Sequence, residues 1–373
     1  MNGDFAIYVH WPFCARICPY CDFNVRKERG ADPAAWSAAL TAELAHWAAL
    51  TPGRRVTSLY FGGGTPSLAP HSVIATVIDA AAKAWAFADD AEITLEANPA
   101  DAARFAGFRA AGVNRLSLGA QSFDDAALKF LGRDHSGAEA RAAIEIALSD
   151  FPRVSADFIY ALPGQEISQW TEELRAALAA GLRHLSLYQL TIEPGTAFDR
   201  QTAKGRWSPA GDGLAADLFD AAQEITAAAG LPAYEISNHA GAGHRSRHNS
   251  AYWSGADYLG IGPGAHGRVT IEGVRRATET ARAPFDYLAR VGREGHALTL
   301  DAALTDEERR IEKFAMGLRT VDGVEADASD LAALGPAIDA LAADGFLVRD
   351  GARIAATPNG RRLLNAVLER VFA

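Results

Sequence analysis

Apolar residues along the chain gather in short runs, and each run is separated from the next by an amphipathic stretch. FAIYVH from Phe5, TSLYF from Thr57, EITLEAN from Glu92, RLSLGA from Arg115, VSADFIYAL from Val154 and HLSLYQLTI from His184 are strand-length and rich in β-branched or aromatic residues. Between them, Ser72–Trp85, Ala138–Leu148 and Trp170–Ala180 repeat apolar positions at helical spacing. Strand alternating with helix predicts parallel strands joined by right-handed crossovers. Six such units within about the first 200 residues fit an open or partial α/β barrel better than a flat doubly wound sheet. In either case ligands gather at the carboxyl ends of the strands.

A long helix is expected from about Pro209 to Ala229, then an irregular region rich in Gly, His and aromatics from Tyr234 to Gly267. The pattern then changes. TDEERRIEKFAMGLR predicts a helix capped by Thr305 with Glu308 three residues on. Two short helices are expected around Asp330 and Ile338, a hairpin turning at Asp350-Gly351, and a closing helix from Pro358 to Phe372. Helix, helix, hairpin, helix resembles a winged-helix module. The expected organisation is a core partial barrel over 1–235, an irregular His/Gly/aromatic-rich connection over 236–298, and a winged-helix-like α+β domain over 299–373. No repeat of 20–50 residues adds to this.

The composition narrows the function classes. The net charge of -10 disfavours a broad electrostatic grip on nucleic acid or an anionic membrane, so the winged-helix likeness carries little weight for DNA binding. No run approaches the ~18 apolar residues of a membrane span. The N-terminal MNGDFAIYVH lacks the pattern of a signal peptide, which makes the cytoplasm the expected compartment.

All 3 cysteines of the 373-residue chain fall within HWPFCARICPYCDFN, as Cys14, Cys18 and Cys21, on a loop after the first expected strand. In a reducing compartment, clustered thiols point to metal or redox chemistry. A disulfide between such close neighbours would leave an odd thiol. Zinc would need a fourth ligand, with His10 the nearest; three buried free thiols are the plainer alternative. Three thiolates on a cubane iron–sulfur cluster, which normally takes four, leave one iron without a protein ligand.

The C-x3-C-x2-C spacing, with Tyr20 before the third cysteine, resembles the signature of the radical S-adenosylmethionine (SAM) superfamily. That resemblance implies a [4Fe–4S] cluster on Cys14, Cys18 and Cys21. Its open iron would be chelated by SAM, which the reduced cluster cleaves to a 5′-deoxyadenosyl radical. Further segments could surround the cluster. FGGGTPS (Phe61–Ser67) is either a backbone cradle or a tight strand-to-helix turn. Glu96 in LEANP ends a strand, where a carboxylate can accept from a hydroxyl or ammonium group. Asp157 lies in an apolar strand and needs a partner. Arg133 is the candidate, as a structural ion pair or with both side chains on a ligand. Together these segments resemble the coproporphyrinogen-dehydrogenase-like branch. Carried over by position, Tyr8, Gly63 and Glu96 match contacts to a first SAM; Tyr20, Gly64, Thr65, Gln121, Arg133 and Asp157 match contacts to a second.

Two features turn the reading away from the dehydrogenase itself. That enzyme extends its motif to a fourth cysteine, where this chain has Phe23, and it carries tens of residues before the cluster, where 13 precede Cys14 here. HNSAYW (His248–Trp253) matches the H-N-x-x-Y-W motif of HemW-type heme chaperones. The resemblance implies heme on His248, with His239, His244 and His266 as rival ligands and Arg245 and Arg247 as partners for propionates; a packed loop is the bland alternative. The expectation is therefore a cytoplasmic heme chaperone, with a heme acceptor such as a heme-requiring respiratory enzyme, an electron donor for the cluster, and a homodimer left open. The runner-up is oxygen-independent decarboxylation of coproporphyrinogen III; a zinc-stabilised binding protein comes third.

Overall fold

The computed structural model describes residues 4–27 and 31–373. The start of the first expected unit, at residue 1, lies outside the described residues. One sheet of eleven strands dominates: β1 (Asp4–Trp11), β2 (Arg55–Gly63), β3 (Ala86–Ala97), β4 (Arg115–Gln121), β5 (Arg153–Tyr160), β6 (His184–Gln189), β7 (Asn238–Ala240), β8 (Asp257–Ile261), β9 (His266–Ile271), β10 (Val274–Thr280) and β11 (Leu298–Ala303). Their spatial order is β11-β10-β9-β8-β1-β2-β3-β4-β5-β6-β7. From β8 through β6 every pairing is parallel, and the outer pairings at both ends are antiparallel.

The six expected strands are all present, with helices His71–Ala84, Gly137–Asp150 and Ile167–Ala179 among the crossovers. The fold is the α/β partial barrel expected of this pattern. Its strands alternate, although parallel strands are usually apolar on both faces. Leu59, Phe61, Leu95, Leu116, Leu118, Ala156, Phe158, Leu185 and Leu187 pack in the main core with Val73, Val77, Ile144, Trp170 and Leu174 of the crossover helices. On the opposite face, Ser155 Oγ donates to Ser117 Oγ at 2.9 Å, and Ser117 Oγ donates to Asp157 at 3.4 Å. The sheet therefore wraps a polar interior, and that interior sets the chemistry of the site.

Three expectations are corrected, and one element is added. The stretch 236–298, read as irregular, contributes β7 to β10, and β8 adds a seventh parallel strand against β1, with Phe5 opposite Asp257. Glycines and histidines masked these strands because Gly260 and Gly267 sit where backbones crowd: a Cβ on Gly260 would lie 2.1 Å from His266 O. The segment around Asp330 and Ile338 is one helix, Ala328–Ala343, running through Pro336. Ile338 and Leu341 are fully buried, and that packing outweighs one lost backbone bond. The final segment breaks at Leu363 into Pro358–Arg362 and Leu364–Phe372. Helix Pro33–Leu50 was not foreseen; Asp32 caps it and Pro33 opens it.

After the sheet comes the helix Asp306–Gly317, opened by the Thr305/Glu308 capping box. A three-stranded antiparallel sheet follows: β12 (Val324–Glu325), β13 (Leu347–Asp350) and β14 (Arg353–Ala356), in the order β12-β14-β13. Phe314, Leu318, Ile338, Leu347, Ile354, Val367 and Val371 give this part its own core. No described helix is long and apolar enough to cross a membrane.

Candidate functional site

The cysteine loop leaves the carboxyl end of β1 and is tied at its base. Phe13–Cys14 pairs in parallel with Arg26–Lys27, and Arg26 N donates to Pro12 O at 2.7 Å. The glycine turn after β2 is stitched to the same loop: Gly64 N donates to Trp11 O at 2.7 Å and Thr65 N to Phe13 O at 2.8 Å. The glycines are needed for this junction. Gly63 has φ 107°, and a Cβ there would lie 2.4 Å from His10 Cε1; one on Gly64 would lie 2.7 Å from Phe13 O. The close approach predicted for a ligand is thus made first by the protein's own cysteine loop.

Loop and turn together rim a cavity of about 560 Å³ at the carboxyl ends of the parallel strands. Cys14, Cys18, Cys21, Tyr20, Gly63, Gly64, Thr65, Glu96, Gln121, Arg133 and Asp157 all line it. Tyr8 and His248 do not. Ile17 and Phe23 also line it and are exposed, so the outer lip is apolar. Tyr188 and Gln189 line it too and were not singled out from the sequence. Their signal was position alone: the carboxyl end of a parallel strand. Gln121 holds a left-handed backbone (φ 66°) at the end of β4, a conformation costing about 1 kcal/mol for a residue with a Cβ.

Burial pushes the Cys14 thiol up, against the effect of its hydrogen bond with Thr65, and pushes Cys21 up to about 11. Without a metal, both are protonated near neutrality; an iron or zinc ligand must be a thiolate, so ligation would displace these protons. Arg133 Nη1 stands 3.5 Å from Cys18 Sγ, and its Nη2 donates to Gly119 O at 3.0 Å. A cation beside a thiolate offsets its charge. Among the described residues, no three His, Cys, Asp or Glu side chains gather closely enough to hold one metal ion. The thiols instead surround space in the cavity wall, a donor set that suits a body larger than one atom.

Of the two readings of Arg133 and Asp157, the ion pair is not among the described salt bridges, while both side chains line the cavity. Asp157 is served by the Ser117 hydroxyl at 3.4 Å and by Ser186, and Arg133 turns to the cysteine loop. Burial raises Asp157 to about 6, against the opposing pull of Ser186 and Arg115. Burial raises Glu96 to about 7; the Tyr60 hydrogen bond opposes this and the charge of Asp157 adds to it. Glu96 Oε1 accepts from Tyr60 Oη at 2.9 Å, and Oε2 accepts from Gly63 N at 3.1 Å. The cavity wall thus brings three thiols together with the buried carboxyls of Glu96 and Asp157 and the guanidinium of Arg133, groups suited to a zwitterionic ligand carrying hydroxyls.

His248 lies elsewhere. It opens the short helix Arg247–Trp253, which packs against β1 and β2, and its Nδ1 is 3.3 Å from the buried Ser58 hydroxyl near the start of β2. Its ring stacks on Tyr60, with centroids 4.6 Å apart and an interplanar angle of 25°. Burial lowers its pKa to about 4, against the attraction of Glu92. Arg245 and Arg247, expected to meet propionates, pair with Asp322 and Asp90. Of the rival imidazoles, His239 is buried against Gln223, and His266 is exposed with Nδ1 3.4 Å from Glu279 Oε1.

Residues 8–177 match the Radical SAM superfamily family and residues 304–363 the HemN C-terminal domain. The chain is 35% identical over 381 residues to the protein named heme chaperone HemW in Escherichia coli, covering 99% of this chain and 98% of that one. A Mycobacterium tuberculosis protein of the same name is 36% identical over 378 residues, covering 99% and 95%. A bovine protein named radical S-adenosyl methionine domain-containing protein 1, mitochondrial, is 42% identical over 326 residues, covering 86% and 74%. Among solved structures, coproporphyrinogen III oxidase (HemN) from E. coli superposes with a TM-score of 0.80 at 22% identity, covering 99% and 90%. That likeness speaks to the fold.

Proposed function

Because the chain belongs to the radical SAM superfamily, and within it to the family that contains the HemW proteins, we propose that it is a heme chaperone. It would carry a [4Fe–4S] cluster, SAM and heme, and pass the heme to an acceptor protein. One observation carries the reading: nearly end-to-end likeness to proteins named heme chaperones, in a chain whose three thiols rim one cavity with Phe23, not a fourth cysteine, at the lip.

Cys14, Cys18 and Cys21 would hold the cluster, with Arg133 offsetting charge at Cys18. Gly63 and Glu96 would meet the polar end of SAM. Tyr20, Gly64, Thr65, Gln121 and Asp157 line the remaining wall, where a second ligand molecule would fit by family likeness. When bound, a reduced cluster of this kind would supply one electron to SAM. This chain's residues do the rest: Glu96 accepts hydrogen bonds, Asp157 and Ser117 keep the wall polar, and the Ile17 and Phe23 lip limits water. The axial nitrogen for heme would come from His248 or from the surface imidazole His266. An electron donor, a respiratory-type acceptor, a homodimer and a cytoplasmic setting belong to this proposal.

The decarboxylase reading competes through the fold alone. Anaerobically purified protein, loaded with heme, should deliver it to a heme-free globin, read as movement of the Soret band. The same protein given coproporphyrinogen III and a reductant should form no protoporphyrinogen. Product at repeated turnover would sink the chaperone reading, and zinc without sulfide would sink the cluster.

A further inference from the structure

The H-N-x-x-Y-W segment closes the amino end of the barrel, and its anchor is Glu92. That carboxylate accepts from Ser246 Oγ at 3.2 Å, from Arg247 N at 3.1 Å and from His248 N at 3.3 Å, so it caps the helix Arg247–Trp253 from below. Arg153 and Arg115 hold Glu92 in turn, at 3.0 and 3.8 Å. The helix start is therefore fixed, and the His248 ring is directed inward. There it meets Ser58 through Nδ1 and lies against Tyr60, with Tyr8 6.1 Å away.

Tyr60 continues the line. Its ring stacks with Tyr8 at 6.2 Å, and its hydroxyl donates to Glu96, which also receives the Gly63 amide. The rings have no slack: a Cβ on Gly62 would lie 2.8 Å from Tyr8, 2.9 Å from Tyr60 and 3.1 Å from Glu96. Glu96 and Gly63 line the cysteine cavity, so one unbroken series of contacts runs from His248 to that cavity. A porphyrin on the His248 nitrogen facing Ser58 would have to enter the floor of the barrel, where Ser58 is fully buried.

We propose that His248 is a positioning residue for the SAM end of the cavity. It braces Tyr60, and through Tyr60 it sets the Glu96 carboxylate and the Gly63 amide. The H-N-x-x-Y-W helix is then the barrel's floor, with the His248 Nδ1 turned to Ser58. The inference stands on this geometry and takes from the proposed function only that SAM occupies the cavity.

The test uses the full chain with its cluster reconstituted anaerobically. SAM affinity is measured by equilibrium dialysis and heme binding by the Soret band, for wild type, His248→Ala, His248→Phe and Tyr60→Phe. His248→Ala and Tyr60→Phe are expected to weaken SAM binding roughly 3- to 30-fold. His248→Phe, which refills the space with a ring that cannot bind iron, is expected to stay within about twofold of wild type, as packing restores the brace. In Tyr60→Phe, which keeps the imidazole, the Soret maximum should not move. Unchanged SAM affinity in Tyr60→Phe and His248→Ala overturns the proposal. So does a loss of SAM affinity in His248→Phe as large as that in His248→Ala, since packing would then not be the brace. Should His248→Ala fail to fold, His248→Phe and Tyr60→Phe decide alone. A wild type that takes up no heme defeats the chaperone reading, while the SAM comparison still decides this one.

Discussion

Two carboxylates two residues apart on β3 meet the same helix start, and the structure assigns them very different energies. Glu92 is 1% exposed and faces two guanidiniums, Arg153 at 3.0 Å and Arg115 at 3.8 Å. Among the described salt bridges, Glu92 is the only carboxylate paired with either. Asp90 pairs with Arg247 at the surface, its side chain 67% exposed. Glu92→Gln keeps the shape but leaves two largely enclosed cations without a counter-charge, which costs about 3–5 kcal/mol. At about 2–4 °C per kcal/mol, the melting temperature should fall by roughly 6–20 °C. Asp90→Asn should leave it within about 1 °C of wild type, since exposed pairs are screened and mobile. Burial works to raise the Glu92 pKa, yet Arg115 and Arg153 bring it below the ordinary glutamate value. The sign follows: the Glu92 contribution is complete above about pH 4.5 and fades as pH falls through the depressed value. Differential scanning calorimetry of the three proteins at pH 7.5 decides the matter. A drop under about 2 °C for Glu92→Gln, or equal drops for both variants, refutes the reasoning.

Cys18→Ala should abolish the visible absorbance of the iron–sulfur centre while the far-ultraviolet circular dichroism stays at the wild-type level, because the thiol sits on a loop outside the hydrophobic core; global unfolding would make the site structural. Gly63→Ala should weaken SAM binding and lower stability by about 1–3 kcal/mol, as a methyl at φ 107° meets the His10 ring; unchanged affinity in a titration would count against the glycine junction. His239, 1% exposed, has its pKa lowered by burial to about 4, so the unfolded chain takes up a proton near pH 6.5 and the folded one resists. Stability should therefore fall as pH drops from about 6.5 to 4, by up to about 3 kcal/mol from this group, and His239→Gln should flatten the profile in urea titrations at pH 7 and 5.

The six parallel strands were legible because each carries one apolar edge at period two, and the cavity residues were legible because strand ends punctuate that pattern. Asp157 was read as needing a partner, and the partners present are the Ser117 and Ser186 hydroxyls, which leave no trace in a hydropathy pattern. β8 was illegible because its partner β1 lies about 250 residues earlier and its neighbours Gly260 to Gly267 read as loop. The inward turn of His248 depends on Glu92 far back in the chain, a tertiary fact that motif spacing does not encode. Tyr188 was missed although its place at the carboxyl end of a parallel strand was a usable signal.

The pairing of Phe5 with Asp257 also dictates an order of events on the ribosome. At about 5–20 residues per second, roughly 12–50 s separate the emergence of β1 from that of the strand covering its second edge. Asn24, just past the third cysteine, waits equally long for the Pro263 and Arg282 carbonyls to which it donates at 2.9 Å. During that interval the thiol loop hangs from a half-covered nascent sheet, open to whatever machinery delivers iron and sulfide. The lid over its rear is synthesised only after β2 to β7 are complete.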